Sequence, residues 1–204
     1  MLPIILASSS PYRRQLLERL HLPYQAQSPA IDETPYPGEA PEALAARLAR
    51  GKAEALAGSH PGALIIGSDQ VASIAGQLLD KPGNKNTARM QLQACSGQCV
   101  SFYTGLCLLN STSGRLQQHV EPFRVHFRQL SNEEIDNYLD AEQPFDCAGS
   151  FKCEGLGIAL FSALEGRDNT ALVGLPLIAL CDLLRKEGIN PLATAPAPPS
   201  PITR

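Results

Sequence analysis

The stretch Ile4-Ile5-Leu6-Ala7-Ser8-Ser9-Ser10-Pro11-Tyr12-Arg13-Arg14-Gln15-Leu16-Leu17 decides how the chain is read. It begins as a short apolar run, long enough for a buried strand. Three serines and a proline follow. Ser10 reads as an N-cap and Pro11 as the first helical position. Leu16, Leu17 and Leu20 then supply the apolar stripe of a short helix. A strand, a hydroxyl-rich turn and a helix start together form an anion site, because free backbone N–H groups and the positive helix end point the same way. Arg13 and Arg14 stand in the first turn, where the helix dipole disfavours cations. Two cations so placed suit a bound anion, and guanidinium holds a phosphate in bidentate fashion. The same residues also allow a plainer reading, a capped surface helix with two solvated arginines.

The whole chain, 204 residues with a net charge of −3, fits one α/β domain or a two-lobed one. At this length about 70–75% of the unfolded surface can be buried. Its 17 basic and 20 acidic residues argue against a general nucleic-acid surface. No run of about 18 apolar residues is present, so no membrane span is expected. The N-terminus lacks a basic leader region and enters a strand at once, so no signal peptide is expected. Cys95, Cys99, Cys107, Cys147, Cys153 and Cys181 form no CxxC pair. They are expected as reduced thiols in the cytoplasm. The four scattered histidines offer no metal-ligand spacing.

Outward from the opening stretch, Tyr24 to Ser28 reads as a short strand and residues 29–38 as a proline-rich loop. That loop carries Asp32 and Glu33, which suit either a divalent cation or plain solvation. Pro41 to Leu56 is a helix with Leu44, Leu48 and Ala55 on one face. Its Arg47, Arg50 and Lys52 read locally as a solvated face. Residues 63–72 form an apolar strand ending near Asp69. A carboxylate at a buried strand end is costly unless it meets a cleft or a cation. That strand end is also where open α/β sheets bind ligands.

Gly76 to Gly83 reads as a hairpin return. Lys85 to Cys95 is a helix with Met90, Leu92 and Cys95 as its apolar positions. Two long strands, Cys99–Leu109 and Leu116–Phe127, flank a polar turn, and Pro122 implies a bulge or a sheet edge. Ser131 and Glu134 form a capping box for a helix to about Ala141. Residues 145–158 break all periodicity, and their glycines permit close backbone approach to a ligand. Thr170 to Gly174 reads as a strand next to the polar turn 166–170. Pro176 opens the last helix, with Gly188 after its end. From Pro191 onward the proline-rich tail has no core pattern and is expected to be disordered.

Taken in order, several short motifs resemble the Maf family of nucleoside triphosphate pyrophosphatases. They are Ala7-Ser8-Ser9-Ser10-Pro11-Tyr12-Arg13-Arg14, Asp32-Glu33, Lys52-Ala53, Ser68-Asp69-Gln70-Val71, Asp80-Lys81-Pro82, Asp146-Cys147-Ala148-Gly149 through Glu154-Gly155, and Val173-Gly174-Leu175-Pro176. The resemblance covers residues 3 to about 190. It implies a mixed α/β fold, a twisted central sheet flanked by helices in two lobes with a cleft between them. One domain would span 1–190, with the tail at 191–204. It also implies cleavage between the α- and β-phosphates with a divalent cation, Mg²⁺ or Mn²⁺. On that basis Asp69 is the expected catalytic base, and Glu33 with Asp69 the metal ligands. Ser8, Ser10, Arg13, Arg14, Lys52 and Lys81 are the expected phosphate contacts.

Tyr12, Gln70 and Glu154 are expected to read the base, with Glu154 as a buried carboxylate. Ser68-Asp69-Gln70 and Lys152-Cys153-Glu154-Gly155 resemble the branch acting on 7-methyl-GTP. One departure is Tyr12, where that branch has a tryptophan. The alternatives are the dTTP/UTP branch and a non-catalytic nucleotide-binding regulator of cell division. The expected partner is a nucleoside triphosphate, with no nucleic acid and no membrane, and a homodimer stays open.

Overall fold

The structure, a computed structural model, describes residues 2–193. A seven-stranded mixed sheet forms its centre. Strand β1 (Ile4–Ala7) lies parallel to β2 (Tyr24–Gln27) on one side and to β3 (Leu64–Ile74) on the other. Antiparallel pairing then continues from β3 through β5 (Cys99–Asn110) and β6 (Leu116–Phe127) to β7 (Phe161–Gly166). The short β4 (Gln77–Leu79) folds back on the far end of β3. The helices are α1 (Pro11–Glu18), α2 (Pro41–Ala57), α3 (Lys85–Cys95), α4 (Asn132–Glu142), α5 (Asn169–Val173) and α6 (Leu177–Lys186).

Side-chain alternation along the strands separates the layers. Ile4, Leu6, Leu64 and Ile66 pack with α1 and α6 on one face. Ile5, Ala7 and Ile65 pack with Ala49, Ala53 and Leu56 of α2 on the other. A further core gathers at the opposite end of the long strands, where Phe102, Phe123, Phe127, Phe151 and Phe161 meet α3 and α4. Two lobes thus share one sheet, and β3 and β5 run through both.

The close fit of α2 depends on two glycines. A Cβ at Gly67 would stand 2.0 Å from the Ala49 carbonyl oxygen, and one at Gly105 would stand 2.1 Å from that of Ala45. Only glycine lets the helix backbone approach the sheet so nearly.

Several expectations need correction. The strand carrying Asp69 does not end there but runs on to Ile74. It is the parallel neighbour β1 that stops, opposite Gly67. Ala55 and Met90 are exposed; α2 instead buries Leu44, Ala45, Leu48, Ala49, Lys52, Ala53 and Leu56. Thr170 to Gly174 is not a strand. Asp168 caps the short helix α5 by accepting from the Thr170 N–H, and Gly174 ends it in the left-handed region at φ 117°. Pro176 is the N-cap of α6 rather than its first helical residue. β7 had no alternation to reveal it, because only its first residue is buried.

Pro122 lies within β6 beyond the reach of β7, which pairs from Phe123 onward, so the strand is an edge there; the irregularity falls at His126/Phe127. The capping box of Ser131 and Glu134 is present. At the expected tail, Pro191–Ala193 form a turn of 3₁₀ helix with Pro191 buried, and residues from 194 onward lie outside the described residues.

Candidate active site

β3 is flanked by β5 along its whole length, but on its other side the pairing is interrupted. β1 covers Leu64–Gly67 and β4 covers Ala72–Ile74. Residues 68–71 between them have no strand partner on that side among the described residues. A cleft of about 650 Å³ opens at this gap. Because successive side chains alternate, Asp69 points to the α2 face and Gln70 to the opposite face, yet both line the cleft.

On the α2 face lies a group of three charges. Lys52 and Asp69 are 7% and 8% exposed. The Lys52 ammonium lies 2.5 Å from Asp69 Oδ1 and 2.7 Å from Glu33 Oε1. The glycine contacts described above bring α2, and with it Lys52, down onto the sheet beside Asp69. Glu33 reaches in from an exposed loop that Arg47 fastens. Arg47 donates to Glu39 Oε1 and Oε2 and to the Thr34 carbonyl, and it stacks 4.0 Å over the Tyr36 ring.

The turn after β1 forms one wall. Ser10 caps α1 by accepting from the Arg13 N–H, and the buried Ser8 Oγ accepts from the Ser10 N–H. Arg13 folds back into the site, donating from Nε to the Gly174 carbonyl at 2.8 Å and from Nη1 to Ser8 at 3.5 Å. Burial pushes its guanidinium down from the ordinary value, while Asp69 and Glu33 push it back up.

On the opposite face, polar side chains meet the end of α5. Gln70 Nε2 donates to the carbonyls of Ala171 and Leu172, and the Ser68 hydroxyl lies within hydrogen-bond distance of the Gly105 and Gly174 carbonyls, with one proton to give to either. The two Gln70 bonds meet carbonyls of the last residues of α5, where the Ala171 carbonyl also accepts from the Gly174 N–H. The mouth is lined from residues 146–154, an irregular segment with one short 3₁₀ turn, Ala148–Ser150, within it and another, Leu156–Leu160, after it. Burial, then Cys147 and Asp146, then Glu154, push the Tyr12 phenol up to about 12. Tyr12 and Glu154 line the same cleft. Burial and the adjacent Asp146 likewise push the Cys147 thiol up to about 12, and all six cysteines are free.

A profile of the Maf family, described as Maf-like protein, matches residues 3–187. The chain belongs to the Maf family. It is 60% identical over 189 residues to a Pseudomonas putida protein named 7-methyl-GTP pyrophosphatase, covering 93% of this chain and 98% of the relative. Two solved structures share the fold. The Ham1 protein of Staphylococcus aureus superposes with a TM-score of 0.54 at 14% identity, covering 91% of this chain and 99% of that one. A HAM1 protein from Coxiella burnetii gives 0.50 at 16%, covering 91% and 100%. At such identities the likeness shows the mixed α/β architecture alone.

In this Maf protein Ser8, Ser10, Tyr12, Arg13, Glu33, Lys52, Asp69, Gln70, Lys81 and Glu154 all line the one cleft. Arg14 is the exception. It is exposed and does not line the cleft, because a helical residue next to Arg13 projects about 100° away from it. Glu154 corrects a second expectation, since it is exposed at the mouth rather than buried. Lys52, expected as a phosphate contact, is ion-paired between two carboxylates. Lys81 is exposed and has no ion-pair partner among the described residues.

Lys152 also lines the cleft, donating from Nζ to the Glu142 carbonyl at 3.2 Å. It stood inside a quoted motif but was not singled out, since an aperiodic loop gives no direction to a side chain. Thr104 and Ser68 were not singled out either. Their positions within apolar strands were the available signal, since a buried hydroxyl needs a partner.

Among the described residues, no cluster of three or more His, Cys, Asp or Glu side chains is arranged to hold a metal. No helix is long and apolar enough to cross a membrane.

Proposed function

We propose that this protein hydrolyses the α–β phosphoanhydride bond of 7-methyl-GTP, giving 7-methyl-GMP and pyrophosphate. The observation that carries this reading is the cleft at the β3 gap. It holds a buried carboxylate with its cation on one face of the strand and a polar, aromatic-edged pocket on the other. A triphosphate on the Asp69 side and a base on the Gln70 side fit that division. The relative named 7-methyl-GTP pyrophosphatase supports the choice of base.

Asp69 acts as general base. It takes a proton from a water molecule as the water oxygen bonds to the α-phosphorus, and pyrophosphate departs with the electrons of the broken P–O bond. Arg13, Lys81 and the N–H groups at the start of α1 hold the phosphate oxygens, with Ser8 and Ser10 shaping that turn. Lys52 keeps Asp69 placed and offsets the cost of burying it. Tyr12 stacks on the base, Gln70 bonds its edge, and Glu154 at the mouth favours the positive charge of a 7-methylated purine.

Glu33 and Asp69 fit a divalent cation, Mg²⁺ or Mn²⁺. Both already converge on one cationic point at the Lys52 ammonium. Mg²⁺ characteristically binds through one or two carboxylates and takes its remaining ligands from phosphates and water. Bound there, such an ion would neutralise phosphate charge and make a coordinated water more acidic. The free thiols suit a reducing compartment, and we place the enzyme in the cytoplasm.

The test is kcat/KM for 7-methyl-GTP, GTP, UTP and dTTP with Mg²⁺ or Mn²⁺. Preference for 7-methyl-GTP is expected. Preference for UTP or dTTP would move the protein to the pyrimidine branch, and no pyrophosphate from any of them would remove the enzymatic reading.

A further inference from the structure

The side chain of Gln70 is held in one orientation by groups that lie away from the reacting centre. Thr104 on β5 sits directly across the ladder from it and is fully buried. The Thr104 hydroxyl donates to the Ala171 carbonyl at 2.8 Å. A hydroxyl has a single proton, so toward Gln70, 3.2 Å away, Thr104 Oγ1 can only accept. The same end of Gln70 also faces the Ala171 carbonyl at 2.8 Å and the Leu172 carbonyl at 3.0 Å. All three neighbours are acceptors, and the group facing them must therefore be the amide nitrogen. Gln70 Oε1 points the other way and takes no hydrogen bond among the described residues. Nor is it closed off: among those residues the only buried side-chain N or O atom without a partner is Gln117 Oε1.

We propose that Thr104 is a positioning residue that makes Gln70 a one-way acceptor, so that the pocket selects purines presenting an N–H donor over purines presenting only lone pairs. This rests on the reading that Gln70 meets the base. A half-turn of the amide would set its oxygen against the Ala171 and Leu172 carbonyls, and the Thr104 hydroxyl could donate to it only by giving up its own bond to Ala171; of the three, the hydroxyl is the group that mutation can remove. A guanine-type edge, with its ring N–H and exocyclic amine, satisfies Oε1. A purine without those donors leaves Oε1 unpaired once water is displaced, which costs binding in the transition state.

The experiment compares kcat/KM for GTP and for the triphosphate of unsubstituted purine riboside, whose edge carries no N–H. In the wild type GTP is favoured by about tenfold, the scale of one hydrogen bond. Thr104→Val should lower this ratio by about threefold or more, whereas Thr104→Ser should keep it. A purely structural loss would lower both substrates together and leave the ratio alone. Thr104→Ala removes the same hydroxyl and carries the same expectation, so a valine variant that fails to fold does not decide the matter. Gln70→Met separates the two levels of the argument. If it leaves the ratio at the wild-type value, Gln70 does not meet the base and the underlying reading fails. If it collapses the ratio while the Thr104 variants keep it, the positioning role of Thr104 is overturned.

Discussion

The two faces of β3 at its gap are built in different ways. On the α2 face, Asp69 and Lys52 belong to a strand and a helix pressed together through Gly67 and Gly105. On the other face, Gln70 is fixed by the end of a five-residue helix, and Tyr12 shares the cleft with an irregular segment whose turn between two short 3₁₀ helices carries the exposed Glu154. The first is regular, buried structure and the second is largely loop. The contrast teaches that the face proposed to react is held by close packing, whereas the face proposed to read the base has one fixed side chain, Gln70, beside loops that are open to adjustment. Loops on a rigid scaffold vary at little cost to the fold.

If the contrast holds, the greatest loss of activity follows from the α2 face. Asp69→Asn should lower turnover by at least about a hundredfold, the scale of a positioned base. Glu33 still pairs with Lys52, so the variant should fold, as circular dichroism and thermal unfolding would show. Retention of more than a tenth of the activity would point to another base.

Glycine substitutions separate the faces by stability. Gly105→Ala drives a Cβ into a helix carbonyl and should cost about 1–3 kcal/mol in urea unfolding. Gly155→Ala meets the Glu142 carboxylate, 2.7 Å away on a side chain that can turn aside at the loss of its bond from the Leu156 N–H, and should cost about 1 kcal/mol. Equal losses would dissolve the distinction between a packed face and an adjustable one.

Glu154→Gln should reduce kcat/KM for 7-methyl-GTP about fivefold and leave UTP nearly unchanged. The effect is modest because an exposed carboxylate is screened by water. A hundredfold loss would mean that residues 145–158 close over the base and bury Glu154 when substrate binds.

How much of this was legible in the sequence follows the same division. β1, the start of α1, α2 and the capping box of α4 have periodicity or cap residues, and each can be read locally. Asp69 and Lys52 were found because a charge inside an apolar strand, or within a known motif, stands out. The ion pair between them was not legible, since it depends on how closely α2 approaches Gly67 and Gly105. Thr170–Gly174 was misread because the β-branched Thr170 and Val173 favour a strand, and the capping by Asp168 and Gly174 prevailed. The exposure of Glu154 is hidden because it lies in an irregular turn, which has no period from which a direction can be inferred.

The smallest expected effect concerns the loop that brings Glu33 to the site. A hydrogen bond from Arg47 holds the Glu39 carboxyl down at about 2. Its contribution to stability is complete above the unfolded value of about 4.3 and is lost as pH falls from there toward 2. Over that window wild-type stability should fall more steeply than that of Arg47→Met, and the Tyr36 N–H, which donates to Glu39, should lose hydrogen-exchange protection. Parallel curves for the two proteins would remove Arg47 as the fastening of the loop.

Hydrolysis of 7-methyl-GTP in ¹⁸O-labelled water, with mass analysis of both products, tests the central claim most directly. Attack on the α-phosphorus beside Asp69 predicts the label in 7-methyl-GMP and none in pyrophosphate. Label in pyrophosphate, or release of 7-methyl-GDP and orthophosphate, would contradict it.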